Sequence, residues 1–345
     1  MIFKNVELYN VQMFVDHPEG KLLSRLPEAV RVQLNERAQQ ATFITCGCEI
    51  RFVLNSGLAK VKLRRIPMFP TNATGLTEVY YGNFQGVYHI TPVFIGSSQT
   101  DIIIEPAPDP ASLDHLHAQL SSQHGASHIF DPNVVRIILP YDDATYLVDI
   151  EGDVRPPLPE QVPQTRYLAY GSSITQGGSA VRPTETYAMQ VARLLGADLI
   201  NLGFSGSAHM ESAMADYIAS RNDWDFATLE MGINVIELWS PEMFANCVEA
   251  FVQVIARHHP DKWIFCIDLF QSVFDVSHSE KVAAFRWAVE DTVARLDLPR
   301  LVYVSGRELL TETSYLTVDL VHPSPLGMEQ IAQRLSERIR RYVTG

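Results

Sequence analysis

Residues 155–163 read Arg-Pro-Pro-Leu-Pro-Glu-Gln-Val-Pro, and this stretch divides the chain into two parts with different rhythms. Pro156, Pro157, Pro159 and Pro163 have no backbone N–H and a fixed φ, so the segment cannot belong to a central strand or a helix interior. It reads as an extended, semi-rigid connector. The expected organisation is therefore a first domain at 1–154, a linker at 155–164 and a second domain at 165–345. A chain of 345 residues is long enough for two cores of ordinary size.

Before the connector, short runs of β-branched and aromatic residues alternate with turn residues. Strands are expected at 42–46, 49–54, 60–64, 87–90, 101–105 and 134–139, with a short helix near 112–122. That spacing predicts an antiparallel β-sandwich or jelly-roll-like domain. After the connector, apolar runs at 167–170, 198–202, 226–231, 263–269 and 301–304 alternate with helical patterns at 184–195, 210–220, 241–258, 280–296 and 326–342. Strands alternating with amphipathic helices predict a parallel sheet covered on both faces, an α/β fold. Sites in such sheets gather at the carboxyl ends of the strands.

Four short strings lie at those ends. Gly171-Ser172-Ser173-Ile174-Thr175 follows the first strand, and Asn201-Leu202-Gly203-Phe204-Ser205-Gly206 spans the end of the second. Glu230-Met231-Gly232-Ile233-Asn234 follows the third, and Asp319-Leu320-Val321-His322-Pro323 precedes the last helix. A serine hydroxyl is a weak nucleophile until a base takes its proton and donors stabilise the oxyanion. His322 is the candidate base, and Asp319 is close enough in sequence to reach its other ring nitrogen and fix the tautomer. Gly206 can present a bare backbone N–H, and Asn234 a side-chain amide. Each feature has a plainer reading: a cap for Ser173 or Asn234, a turn for Gly206 or Asp319. The α/β-hydrolase Gly-x-Ser-x-Gly elbow is absent.

In this order the strings resemble the four blocks of the SGNH (GDSL-type) hydrolases. The resemblance covers roughly residues 165–342 and implies a flavodoxin-like three-layer α/β/α domain. It also implies that Ser173 is the nucleophile, with His322 and Asp319 completing the triad. The backbone N–H groups of Ser173 and Gly206 and the Asn234 side chain would form the oxyanion hole. Two departures are visible: Ser172 stands where the family has aspartate, and Val235 where aspartate is common after the asparagine. Gly-Ser-Ser-Ile-Thr with Glu-Met-Gly-Ile-Asn is similar to a bacterial subgroup that couples this domain to an N-terminal β-sandwich. That subgroup includes esterases and acyltransferases acting on natural-product hydroxyls. His209 and Glu211, just after the second block, are candidates to line the substrate pocket.

The expected function is that of a serine esterase acting on small acyl esters, acetylated sugars among them. The first alternative is an acyltransferase moving the acyl group from an ester or thioester donor to an alcohol; a second is a non-catalytic carbohydrate-binding protein. No cofactor is expected, and no metal. His115, His117, His124 and His128 read as loop histidines, and the four cysteines lack zinc spacing. A net charge of −13 argues against nucleic acid as a partner. No apolar stretch approaches the ~20 residues of a membrane span. The N-terminus shows no signal-peptide pattern, and with the free-thiol reading of the cysteines this leads to an expected cytoplasmic location. Tyr80, Tyr81, Phe84 and Tyr88 read as core of the first domain, whose loops are expected to wall one side of the site.

Overall fold

The strands after the connector carry apolar residues on both faces, because helices cover both sides of the sheet they join. The computed structural model describes residues 1–66 and 74–343. It arranges five parallel strands in the order Ala197–Gly203, Thr165–Gly171, Phe226–Glu230, Trp263–Ile267 and Leu301–Val304. All four neighbouring pairs are parallel. This is the flavodoxin-like strand order, with its crevice at the carboxyl ends of the strands Thr165–Gly171 and Phe226–Glu230.

Alternating side chains along each strand serve opposite faces. Leu168 and Tyr170 pack with Ile218, Phe251 and Phe285 from the helices Ser212–Ser220, Pro241–His258 and Ser279–Leu296. Tyr167 and Ala169 pack with Val191, Ile331 and Leu335 from the helices Tyr187–Leu195 and Pro325–Val343 on the other side. The three-layer α/β/α arrangement expected from the alternation is present, and the helix boundaries follow local chemistry. Ser240 caps Pro241–His258 by accepting from the Met243 amide, with proline at the first helical position. Among the described residues, no helix is long and apolar enough to cross a membrane.

The N-terminal part is strand-rich and antiparallel. Its spine is one strand of 18 residues, Glu49–Ile66, where two separate strands at 49–54 and 60–64 are expected. It pairs with Val134–Ile138 near its start and with Ala144–Arg155 along most of its length. The expected strand at 42–46 is not formed. A helix, Glu36–Ala41, ends there, built of good helix formers and capped by Asn35 through the Ala38 amide. Only Ile44 of that run makes an isolated bridge, to Ala144. Residues 87–90 form a turn closed by Ile90 N–H to Val87 O. The helix near 112–122 is longer, Pro110–His124, capped by Asp109. It carries His115, His117 and His124, and His128 lies in the short turn after it. Strands Val6–Tyr9, Met13–His17, Gly20–Ser24 and Leu76–Tyr81 have weak alternation and escape the periodicity reading.

The two parts share their interior. Tyr9, Leu26, Leu34, Ala38, Ala41 and Ile44 sit in the same apolar cluster as Leu168 and Tyr170 of the parallel sheet. Polar contacts cross as well. Arg51 donates twice to Asp198, at 2.6 and 2.7 Å, and both side chains are buried. The Asn201 carbonyl accepts from Asn10 Nδ2 and Arg25 Nη1, each at 3.1 Å.

Candidate active site

The chain leaves the strand Thr165–Gly171 and turns at once into a single helical turn, Ser173–Gln176. Ser172 caps it by accepting from the Ile174 amide at 3.1 Å, and Gly177 ends it in the left-handed region at φ 118°. Ser173 therefore occupies the first helical position, where the backbone N–H has no intrahelical acceptor. Its side chain is nearly buried, with 8% of the residue exposed.

His322 arrives from the loop before the last helix, and its Nε2 lies 2.7 Å from Ser173 Oγ. Its Nδ1 lies 2.7 Å from Asp319 Oδ2. The other oxygen, Oδ1, accepts from the amides of Val321 and His322, each at 2.9 Å, and from the Thr317 hydroxyl at 2.8 Å. Partial burial pushes the Asp319 carboxyl up, but the amides of His322 and Val321, the imidazole and the Thr317 hydroxyl outweigh it. The carboxyl is held well below the usual carboxylate range. Leu320, between the two, adopts φ 59°, an uncommon conformation for a branched side chain. The loop holds it there: the Leu320 amide donates to Thr317 O and its carbonyl accepts from Val273.

Two further groups follow neighbouring strand ends. Ser207 N–H closes a turn onto Phe204 O at 3.1 Å, leaving the Gly206 amide outside that bond. Gly206 has φ 64°, and a Cβ there would lie 2.5 Å from the Arg37 guanidinium carbon. The conformation favours glycine, and a side chain there would also have to displace the Arg37 guanidinium. Asn234 follows the strand Phe226–Glu230, in the 3-10 turn Ile233–Val235. Its Oδ1 accepts from the Ala208 amide at 3.1 Å, which leaves the NH₂ end as the donor. A nucleophile, an aligned base and donors at adjacent strand ends can together carry an acyl group through a tetrahedral intermediate.

His209 is half-buried against Trp239, with ring centroids 5.8 Å apart, and its Nε2 has no protein partner. Desolvation pushes its imidazole below the ordinary range; Glu211 opposes this and Arg37 adds to it. Glu211 points elsewhere. Its Oε1 accepts from the Asn35 amide at 3.2 Å and from Asn35 Nδ2 at 2.5 Å, and Asn35 Nδ2 also donates to Ser207 O. Glu211 thus ties the N-terminal helix to the Gly206 loop. Sequence reasoning did not single out Asn35, Arg37 or Glu230. For the first two no local signal exists; for Glu230 the signal was an acidic residue ending an apolar strand.

The model of the GDSL-like lipase/acylhydrolase family matches residues 164–340, just over half of the 345-residue chain. No curated protein matches the sequence. Among solved structures, the chain is similar to a salicylyl-acyltransferase from a tetracycline biosynthetic pathway, with a TM-score of 0.78 and 18% identity. That likeness covers 99% of this chain and 95% of that one. A candidate GDSL-like lipase from Bacteroides ovatus gives a TM-score of 0.70 at 21% identity, covering 98% of each chain. A family two carbohydrate esterase from Cellvibrio japonicus gives 0.62 at 14%, covering 98% of this chain and 95% of that one. At these identities the likeness is one of fold, and it extends through the N-terminal part.

Proposed function

The chain belongs to the GDSL-like lipase/acylhydrolase family, and from that premise we propose that it is a serine esterase acting on small acyl esters, acetylated sugars among them. The reading rests on one observation above all: Ser173 Oγ, His322 and Asp319 are linked in line by two hydrogen bonds of 2.7 Å. Ser173 Oγ attacks the ester carbonyl as His322 Nε2 takes its proton, and the carbonyl π pair moves onto oxygen. The amides of Ser173 and Gly206 and the Asn234 NH₂ receive that oxyanion. Collapse expels the alcohol, which leaves with the proton from His322. Water then attacks the acyl-enzyme by the same path, its proton going to His322 and returning to Ser173 Oγ. Asp319 holds the imidazole tautomer and offsets its transient charge.

Transfer to an alcohol is the second reading, favoured by the full-length fold likeness to a protein named as an acyltransferase. Water and alcohol attack the same acyl-enzyme, so the partition between hydrolysis and transfer must be measured with an added acceptor. The N-terminal domain forms one wall of the site in this reading, through Arg37 against Gly206 and Asn35 on Ser207 and Glu211. The decisive experiment is a panel of p-nitrophenyl esters and acetylated sugars on wild type and Ser173→Ala. Full activity in a folded Ser173→Ala protein would sink the proposal, as would failure of a fluorophosphonate to label Ser173.

A further inference from the structure

The strand Phe226–Glu230 is buried throughout, yet it ends in an acid that is 1% exposed. Among the described residues, no lysine or arginine pairs with Glu230. A carboxylate in such a place costs several kcal/mol unless other groups hold it. Here the holders belong to the nucleophile turn. Glu230 Oε2 accepts from the Ser172 amide at 2.6 Å and from Thr175 Oγ1 at 3.1 Å. Thr175 Oγ1 is itself 2.6 Å from the Tyr187 hydroxyl. With Tyr187 donating to Thr175 and Thr175 to Glu230, the two hydroxyls form a chain of donors ending at the carboxylate, and such chains strengthen each member. Glu230 Oε1 is buried with no protein partner.

The packing is specific to this acid. A Cβ on Gly171 would lie 2.5 Å from Glu230 Oε2 and 2.2 Å from Thr175 Oγ1. The glycine that opens the Gly-Ser-Ser string thus makes room for a carboxylate brought from the next strand. This bears on the departure at Ser172. A carboxylate does stand beside the nucleophile, delivered across the sheet and not by the residue preceding the serine.

We propose that Glu230 is a positioning residue of the acyl-transfer site, holding the Ser172 peptide beneath the nucleophile. The inference rests on the serine-esterase reading above. The groups bonded to Glu230 are Ser172 and Thr175 from the nucleophile turn, with Tyr187 from the helix Tyr187–Leu195 joined to them through Thr175. Burial pushes its carboxyl up; the Ser172 amide, the Thr175 hydroxyl and the His322 charge oppose that.

The test uses the full chain, p-nitrophenyl acetate as substrate and a fluorophosphonate as the probe of Ser173 reactivity. Glu230→Gln, matched to wild type by circular dichroism, is expected to lose ~10-fold or more in labelling rate and kcat, with KM little changed. Thr175→Val leaves the acid in place and removes one donor, so it guards against a Glu230→Gln protein that does not fold; a severalfold loss of labelling rate is expected. Wild-type labelling rate and kcat in folded Glu230→Gln overturn the proposal, as does a lowered melting temperature as its only effect. If Ser173→Ala also keeps full activity, the esterase reading fails and takes this inference with it; if Ser173→Ala is dead, the fault lies with Glu230 alone.

Discussion

Removing the Asp198 carboxylate perturbs the polar joint between the two parts of the chain. Asp198 is 3% exposed and Arg51 1%, and two hydrogen bonds of 2.6 and 2.7 Å link them. Arg51 also donates to Glu49 at 2.8 Å, and Arg136 grips Glu49 at 2.6 and 2.8 Å. Two guanidinium groups thus face two buried carboxylates, and Glu7 stands at the edge, 3.7 Å from Arg51. Asp198→Asn removes the bidentate partner of Arg51 and leaves two buried guanidinium groups sharing Glu49, with only Glu7 at the edge. Breaking such a pair from one side costs about 3–5 kcal/mol, roughly a 10²- to 10⁴-fold change in the unfolding constant. The double replacement Arg51→Met with Asp198→Leu removes both charges and is expected to cost far less, because neither desolvation penalty remains.

Urea unfolding followed in parallel by far-UV circular dichroism and tryptophan fluorescence measures this. All four tryptophans, Trp224, Trp239, Trp263 and Trp287, lie after the connector, so fluorescence reports the parallel-sheet part alone. Because Tyr9, Leu26 and Ile44 lie in the core of that part, both signals are expected to move together in Asp198→Asn. A loss below about 1 kcal/mol would refute the reasoning. So would a shift in circular dichroism with the fluorescence transition unchanged.

Acidification should attack the same network: desolvation pushes Glu49 up, but Arg136 and Arg51 outweigh it and hold it below the usual range. Its stabilisation is therefore complete above the unfolded carboxylate value of about 4.3 and is lost as pH falls toward the folded one, which urea midpoints between pH 6 and pH 3 would register. Asp319→Asn presents an NH₂ to His322 Nδ1 and favours the wrong tautomer, so kcat should fall ~10³- to 10⁴-fold with the fold intact by circular dichroism. Asn234→Ala should lower kcat ~10²- to 10³-fold through loss of one oxyanion donor, with KM for p-nitrophenyl acetate less affected. Gly206→Ala meets both φ 64° and the Arg37 guanidinium; steady-state kinetics on the added Arg37→Ala change should recover part of the loss, because it clears the space and leaves the backbone cost.

Elements with strong local period were legible from the sequence. The helix Pro241–His258 and the strand Leu301–Val304 fall where the pattern predicts them, since proline, capping serine and buried apolar runs act within a few residues. The first domain was harder. The long strand Glu49–Ile66 passes through an exposed stretch at Asn55–Leu58 that reads as a break. The run at 42–46 has strand composition but completes a helix end packed beneath the parallel sheet. In both places tertiary context overrode propensity.

At the site, Ser173, Asp319, His322, Gly206 and Asn234 are recognisable by residue type and order, and the parallel sheet follows from alternation alone. The partners that brace the site and join the two parts of the chain leave no such trace. Arg51 and Asp198 are 147 residues apart, Ser172 and Glu230 58 apart, and Asn35 and Glu211 176 apart. Local sequence encodes period, caps and turns, and these act over a few residues. Which distant side chains meet is decided only when the sheet and its N-terminal cover pack into one interior, where a buried charge must find whatever partner the fold brings to it.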